Sequence, residues 1–354
     1  MRRQPSLRAP TRLIGRFLAR NPIFVGILGL VVVTTIVEPQ FATAGNFHNI
    51  IRQFGTLIFV SLGMTFVIMA GFLDLSVGGI ISLVAVVTAT QIDAIGQGPA
   101  IALGLLIGLA CGVLNSTLIL KAGATTQAES LFITFGMSLV YGAAALIFTQ
   151  GGTTYLSYSV SSISIFDAIN SGSIPLVFFS VPVSFVLFVV CAALLLVVER
   201  RTYMGRAVLL TGANKTASRL AGVRVDRSIV MIYAVSGLMS AVASIVLISQ
   251  VTLASPVIGQ PYLLQAILAV VVGGTALVGG RGSVLWTAFG ALLLILLNNC
   301  LDLLGVSTYI EFMFRGAILI LAIWLDSRRA EGGAARMAPV EAPTIAEHDL
   351  VEGA

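Results

Sequence analysis

The chain has 354 residues, of which 57% are hydrophobic and 10% charged, and its mean hydropathy is +1.02. Soluble domains carry about 25% charged residues, so this composition excludes an ordinary soluble domain and indicates an integral membrane protein. The net charge of +5 does not point to nucleic acid, because most Lys and Arg residues lie in three clusters, within residues 1–20, 199–227 and 328–336.

The first 21 residues hold no acid, and Arg12, Arg16 and Arg20 recur every four residues. This basic segment predicts an interfacial helix on the cytoplasmic leaflet. A cleaved signal peptide is the alternative, because a basic region precedes an apolar run and Ala42-Thr43-Ala44 resembles a cleavage site. The run from Pro22 to Val37 is longer than a typical signal core, which favours a retained first span.

Ten apolar blocks approach the roughly 20 residues that an α-helix needs to cross a bilayer. From a cytoplasmic N-terminus, six crossings return the chain inside at residue 199 and four more return it inside at residue 326, which agrees with basic loops staying cytoplasmic. The predicted fold class is an all-α polytopic membrane protein of about ten transmembrane helices, with one transmembrane domain over residues 22–326 and both termini cytoplasmic. The predicted spans are 22–37, 51–70, 76–92, 99–120, 129–149, 175–198, 228–249, 261–278, 284–301 and 309–325.

Two polar segments lie outside these spans. The loop 150–174 holds no Lys or Arg and is rich in Ser, Thr and Gly, which suits the external side. It is either a simple connector or a contact for an external partner. Residues 327–354 are rich in Ala, Gly, Pro and acids, and they predict a disordered cytoplasmic tail.

An acid within an apolar region is the sharpest local signal. Asp74 follows Gly71 and precedes Gly78 between two predicted spans. A charge at a helix centre costs about 2.5–3.5 kcal/mol on translocon scales, so such a residue usually faces protein or a water-filled path. The glycines favour an opened helix that lines a pathway or gate. The alternative is a tight turn in which Asp74 caps the next helix.

Further polar residues within the spans also allow two interpretations. Asn115, Asn298 and Asn299 either form hydrogen bonds between helices or face a passing polar substrate. Glu311 and Arg315 lie four residues apart on one helical face, which predicts a neutralising pair.

The segment 199–227 is the only long polar interruption between the apolar blocks. Ala213 to Leu220 reads as a short helix, since Thr211 or Asn214 can cap its start and Gly222 suits its end. Two or three turns are not stable alone in water. The helix therefore either docks into a groove on another protein or belongs to a solvated basic loop that only sets the topology.

Absent motifs narrow the function. The chain has no Gly-Lys-Ser/Thr sequence of a P-loop, no HExxH and no GxSxG, so we expect neither an enzyme nor a nucleotide-binding subunit. Its three cysteines and two histidines show no metal-ligand spacing, and no metal or cofactor is expected. If the protein pumps a solute, another subunit must hydrolyse the nucleotide.

Four ordered motifs carry a resemblance to a known family. They are Gly63-Met64-Thr65-Phe66-Val67-Ile68 leading into Asp74-Leu75-Ser76-Val77-Gly78, then Gly205-Arg206 through Asn214, Ala217, Leu220, Gly222 and Val223, then Val272-Gly273-Gly274-Thr275 with Gly279-Gly280-Arg281-Gly282-Ser283, and finally Leu297-Asn298-Asn299 with Leu303-Leu304-Gly305-Val306. Over most of residues 45–326 the chain resembles the ribose-type permease subunits of bacterial ABC importers for monosaccharides.

The resemblance implies a permease core of two subunits, either identical or paired, in the inner membrane. It also implies two cytoplasmic ATP-binding cassettes and an external sugar-binding protein that delivers substrate. The segment around residues 213–222 would be the coupling helix set into the ATPase. Residues expected to couple to the ATPase are Asn214, Lys215, Ala217, Ser218, Arg219, Leu220 and Gly222, and those expected along the pathway are Asp74, Ser76, Gly78, Asn115, Asn298 and Asn299.

The chain departs from the family pattern at two places. Gly71-Phe72 stands where Gly-Gly is usual, and Glu129 is unexpected at the entry to the fifth span. These departures leave the sugar open. A permease for branched-chain amino acids or another small solute is one alternative. An ion-coupled secondary transporter that uses Asp74 is another, and it would need no partner ATPase.

Overall fold

A computed structural model of the chain describes residues 22–156, 163–175 and 180–334. The predicted interfacial helix in residues 1–21 and most of the predicted tail lie outside the described residues. Within them the chain forms fourteen α-helices, a 3-10 helix at Pro39–Ala42 and four short strands. The helices are α1 (Pro22–Val37), α2 (Ala44–Gln53), α3 (Thr56–Met69), α4 (Val77–Ile95), α5 (Gln97–Lys121), α6 (Gln127–Thr149), α7 (Ser164–Asn170), α8 (Val183–Arg201), α9 (Tyr203–Ala213), α10 (Lys215–Leu220), α11 (Val225–Val251), α12 (Gln260–Val272), α13 (Val284–Leu303) and α14 (Thr308–Ala334).

The predicted all-α membrane architecture is confirmed, with fewer unbroken spans than expected. In the described part of the chain, six helices are long and apolar enough to cross a bilayer, namely α4, α5, α6, α8, α11 and α13. A seventh span is broken, because α2 and α3 meet at an angle of 42°. Each remaining predicted span coincides with a helix: α1 and α12 are short and apolar, and α14 carries the charges of Glu311 and Arg315.

Three predicted boundaries are wrong. The span predicted at 261–278 ends at Val272, where Gly274 with its φ of +89° turns the chain. The span predicted to begin at residue 175 begins at Val183, after a two-stranded hairpin. The last helix continues to Ala334 rather than giving way to the tail at residue 327.

The core surrounds α11, which packs against α3, α4, α5 and α9. Every residue of α3 is buried, as expected for a helix that is apolar on all faces. Small residues bring α5 and α11 together: a Cβ at Gly112 would overlap the carbonyl oxygen of Tyr233. Close backbone approach through glycine is the usual way in which helices associate in lipid.

The helix ends separate into two groups, which we call the external and cytoplasmic ends after the predicted topology. At the external end, β1 (Thr154–Tyr155) pairs with β4 (Leu253–Ala254), and β2 (Ser173–Pro175) pairs with β3 (Ser180–Pro182), both antiparallel. At the cytoplasmic end, α9 and α10 lie beside the turns that follow α3, α5 and α12.

Candidate functional site

The central basic segment folds into two short helices, α9 and α10. The side chain of Asn214 accepts a hydrogen bond of 2.9 Å from the backbone N–H of Ala217 and so caps the start of α10. Gly222 follows the end of α10 with a φ of +79°, a conformation that favours glycine. The predicted caps Asn214 and Gly222 are confirmed, whereas Thr211 lies inside α9.

One face of α10 is anchored against the rest of the described chain, and the opposite face is exposed. Ser218 is buried and donates a hydrogen bond of 2.7 Å to the carbonyl oxygen of Leu210. On the other face, Arg219 pairs at 3.0 Å with Asp226 while both side chains stay exposed, and the Leu220 side chain is 86% exposed. An apolar side chain presented in this way on a rigidly held helix suits a contact with another protein.

Lys215 joins α10 to two other parts of the cytoplasmic end. Its Nζ donates a hydrogen bond to the carbonyl oxygen of Thr125 and lies 3.6 Å from the centroid of the Phe72 ring, in a cation–π contact. Burial lowers the pKa of the half-buried Lys215 ammonium group below its usual value. These residues line a cavity of about 460 Å³.

Glycines bring the backbone of α9 against the end of α3. A Cβ at Gly212 would overlap both the carbonyl oxygen of Met69 and the backbone nitrogen of Gly280. The N–H of Gly280 donates a hydrogen bond of 2.9 Å to that Met69 oxygen. Nearby, Glu199 is buried and accepts a hydrogen bond of 2.7 Å from the N–H of Val284 at the start of α13. The central basic segment is therefore tied to α3 and α13.

The chain between α3 and α4 is irregular, and side chains of other helices satisfy its backbone. Ser130 and Thr134 of α6 accept hydrogen bonds from the N–H groups of Leu73 and Leu75, at 3.2 and 3.0 Å. The hydroxyl of Tyr233 donates to the carbonyl oxygen of Leu73 at 2.9 Å. Irregular backbone at membrane depth is stable only when protein covers it, and here α6 and α11 do so.

Asp74 is fully buried within this irregular segment, and three hydrogen bonds satisfy its carboxylate. One oxygen accepts from both the N–H and the hydroxyl of Ser76, and the other accepts from the hydroxyl of Ser236 at 2.7 Å. This is the geometry of the turn that precedes α4. The N-cap of α4 is Ser76, whose side chain forms no capping hydrogen bond, and Asp74 holds Ser76 in the turn before the helix. A role of Asp74 in transport stays a prediction.

The other polar residues of this region continue the same buried network. Asn115 donates a hydrogen bond of 2.7 Å to the Ser76 hydroxyl, and it accepts one of 2.8 Å from the hydroxyl of Tyr141. Gly78 lies inside α4, where a Cβ would be 3.2 Å from the carbonyl oxygen of Gly259. Ser76, Gly78 and Asn115 thus lie between packed helices, and a role in transport stays a prediction for them.

A cavity of about 450 Å³ with both polar and apolar lining, which we call the external cavity, lies at the external end between α2, α3, α11, α12, α13 and α14. Arg315 donates a hydrogen bond of 2.8 Å to Glu311 and one of 3.2 Å to the side-chain oxygen of Asn298. The ion pair is largely buried, with 16% of the Arg315 side chain and 8% of the Glu311 side chain exposed. The predicted pair is confirmed. The lining also includes Gln53, Gln250, Gln265 and Asp302.

A second cavity, of about 400 Å³, shares Gln53, Gln250 and Asp302 with the external cavity. Asn299 lies in its lining and forms two reciprocal hydrogen bonds of 2.9 Å with Asn46. The neighbouring asparagines 298 and 299 therefore face different cavities at the same end of the protein.

The predicted residues separate into three groups. The residues predicted to couple to the ATPase lie together on and around α10. Asp74, Ser76 and Asn115 form the buried network. Asn298 and Asn299 lie apart from both groups, at the external end. We did not predict Gln265 or Asp302 from sequence, or the contact of Lys215 with Phe72. For Gln265, a polar residue in an apolar block was the available signal.

Six helices of membrane-spanning length in the described part of the chain, together with a seventh, broken span, fit a polytopic membrane protein. The chain belongs to the family of branched-chain amino acid transport system permease components, whose model matches residues 46–323.

Relatives match over most of their length. The ribose import permease protein RbsC of Haemophilus influenzae is 31% identical over 317 residues, which are 89% of this chain and 95% of the relative. That of Bacillus subtilis is 35% identical over 315 residues, 87% of this chain and 92% of the relative. The autoinducer 2 import system permease protein LsrD of Yersinia enterocolitica is 34% identical over 267 residues, 75% of this chain and 78% of the relative. No solved structure gives a significant match.

Proposed function

We propose that this chain is the membrane-spanning translocation subunit of an ATP-driven ABC importer for a monosaccharide or a similar small polyol. The observation that carries the proposal is the similarity of nearly the whole chain to proteins named as ribose import permeases. The chain has no nucleotide-binding motif of its own. A separate ATP-binding cassette subunit therefore hydrolyses the ATP, an external binding protein delivers the sugar, and this chain carries no cofactor and catalyses no reaction.

The cassette contacts α10 in this proposal. The exposed Leu220 and the Arg219–Asp226 pair form the docking face, while Asn214, Ser218 and Gly222 hold the helix in place. Ala217 is exposed on the same short helix. A rigid helix transmits the movement of its partner, whereas a solvated loop would absorb it.

Cassette closure would reach the transmembrane helices by two routes. Lys215 contacts Phe72 in the irregular segment after α3, and Gly212 contacts the end of α3 through Met69. Both routes lead to α3, whose residues are all buried. Packed elements of this kind switch between discrete arrangements and do not bend continuously, so a displacement of α10 would re-pack α3 against α11.

A second permease subunit, an identical copy in the simplest case, completes the pathway. The importer lies in the inner membrane with both termini of this chain in the cytoplasm, as the basic segments favour. The alternative of ion coupling through Asp74 gains no support from the structure, because three hydrogen bonds already satisfy that carboxylate away from the external cavity.

Reconstitution in proteoliposomes tests the proposal. The permease is combined with its cassette and a ribose-binding protein of the same organism, and uptake of D-ribose and of L-leucine is measured with and without ATP. We expect ATP-dependent uptake of ribose and none of leucine. Uptake of leucine but not ribose would assign the chain to amino-acid transport, and uptake driven by an ion gradient without the cassette would contradict an ABC importer.

A further inference from the structure

The external cavity has more hydrogen-bonding capacity than the fold uses. Gln265 of α12 is 9% exposed and lies in the lining, yet its side-chain amide has no hydrogen-bond partner among the described residues. The amide group reaches the open space of the cavity and is not enclosed by protein, and a polar group so placed is paired by solvent or by a ligand. The unpaired donor and acceptor of Gln265 are therefore available to something inside the cavity.

Opposite Gln265, Arg315 is held in a fixed position. Glu311 and Asn298 each accept a hydrogen bond from its guanidinium group, which has five N–H donors in total. The guanidinium group thus keeps further donors for a ligand. The side-chain nitrogen of Asn298 has no acceptor within the described part of the chain, so its two N–H donors are free as well.

The charge of the lining favours a neutral ligand. Arg315 lies beside two acids, Glu311 and Asp302, and the adjoining second cavity adds Arg52. The external cavity itself holds one positive and two negative residues, and Arg52 in the lining of the neighbouring cavity adds a second positive charge, so an anion has no clear electrostatic advantage. Uncharged amides supply most of the remaining polar groups, from Gln53, Gln250 and Gln265.

Apolar side chains form the rest of the external cavity and limit how the ligand can lie. Leu57, Leu247, Ile295 and Tyr262 line it together with the polar groups. A hydroxyl group both donates and accepts, which suits amides and a guanidinium group, while the C–H face of a small ring suits leucine and tyrosine side chains. The volume of about 450 Å³ falls in the range of small-molecule sites, about 300–1,000 Å³.

We propose that the external cavity is a binding site for one neutral polyhydroxylated molecule, contacted by Gln265, Asn298 and Arg315 and located in the permease itself. Glu311 is a positioning residue that orients Arg315. The proposal rests on the proposed function and adds a site to it: the sugar released by the binding protein is captured by these side chains before it crosses.

Thiol labelling tests occupancy of the site directly. Thr308 lines the external cavity and is exposed, so Thr308→Cys is introduced into the full-length permease with Cys111, Cys191 and Cys300 replaced by alanine. The assembled importer is labelled from outside with a membrane-impermeant thiol reagent, with and without D-ribose. Gly98→Cys at the start of α5, where a Cβ meets no atom within 4 Å, is the control reporter.

We expect ribose to slow labelling at position 308 by about threefold or more, as an occupancy above two-thirds requires, and to leave labelling at position 98 unchanged. Gln265→Leu should remove the protection. Gln91→Leu, a matched change of a half-buried glutamine in α4, should retain it. Protection by L-leucine instead of ribose would overturn the assignment to a polyhydroxylated ligand, and no protection by either would overturn the site.

A second measurement separates failure of the site from failure of the proposed function. Sugar taken up per ATP hydrolysed is compared between wild type, Gln265→Leu and Asn298→Ala in proteoliposomes. We expect the ratio to fall at least about fivefold in both variants, as loss of two or more hydrogen bonds predicts, while stimulation of ATP hydrolysis by the loaded binding protein persists. An unchanged ratio overturns the site alone, whereas absence of ATP-dependent uptake of ribose and of every other monosaccharide and polyol tested by the wild type overturns the proposed function and the site with it.

Discussion

Replacing Asp74 by alanine and by asparagine distinguishes a structural carboxylate from one that carries transport chemistry. Alanine removes the acceptor of three buried hydrogen bonds, two from Ser76 and one from Ser236. Asparagine has nearly the same shape. Its carbonyl oxygen can accept both hydrogen bonds from Ser76, and its N–H can donate to the Ser236 hydroxyl once that hydroxyl rotates.

The two changes should differ widely in stability. An unsatisfied buried donor costs about 1–3 kcal/mol, so the three donors stranded by Asp74→Ala cost about 3–9 kcal/mol before neighbours relax. Folded proteins are stable by about 5–15 kcal/mol in total, so Asp74→Ala should prevent accumulation of folded permease. Asp74→Asn should cost about 1 kcal/mol, because the hydrogen bonds remain but lose their charge assistance.

The assay combines thermal unfolding of detergent-purified protein with ribose uptake in proteoliposomes. We expect Asp74→Asn to fold and to retain most of the ATP-dependent uptake, whereas Asp74→Ala should be scarce in the membrane. Ser236→Ala leaves one buried oxygen of the Asp74 carboxylate without its donor, so it should cost about 1–3 kcal/mol and lie between wild type and Asp74→Ala in thermal unfolding. A well-folded Asp74→Asn that has lost uptake would refute the structural role and return the ion-coupled alternative.

Three further changes probe the contacts that hold the cytoplasmic and external ends together. Gly212→Ala should destabilise the protein by about 1–3 kcal/mol, because its Cβ would overlap the Met69 carbonyl oxygen. Thermal unfolding compares this variant with Gly136→Ala, a change at a position where the space is open. Equal stability of the two variants would contradict the close contact. Lys215→Met should lower the amount of sugar imported per ATP hydrolysed while hydrolysis itself continues, because the side-chain stem remains but the ammonium group is lost. An unchanged amount of sugar per ATP would exclude coupling through the contact of Lys215 with Phe72. Asn299→Leu should lower the free energy of unfolding by about 1–3 kcal/mol, because it breaks the paired amides of Asn299 and Asn46. The double variant with Asn46→Leu should lose less stability than the sum of the two single variants. Additive losses in thermal unfolding would show that the two amides do not interact.

The sequence alone predicts the large-scale architecture because the bilayer demands long apolar blocks and places basic segments on one side. It also predicts α10, since Asn214 and Gly222 are local capping signals that depend on neighbouring residues only. Local signals do not predict the bend between α2 and α3, which falls inside the predicted span 51–70. At the bend, a Cβ at Gly55 would lie 2.7 Å from the side-chain nitrogen of Gln250, almost two hundred residues away.

The interpretation of Asp74 shows where local reasoning stops. The same residues fit a gate and a capping turn, and the choice depends on Ser236, Ser130 and Thr134 from other helices. The external cavity could not be predicted from local sequence for the same reason. Its polar side chains come from six helices that are far apart in the sequence, so no local pattern places them together.

The most direct test of the account is the effect of the paired change Arg219→Glu and Leu220→Asp on proteoliposomes that contain the permease, its cassette and a sugar-binding protein. Both side chains are exposed on α10, so the permease should remain folded, which thermal unfolding verifies. We predict that sugar-stimulated ATP hydrolysis and sugar uptake are both abolished, because the docking face for the cassette is lost. Unchanged uptake, or uptake that never required the cassette, would contradict an ATP-driven importer coupled through α10.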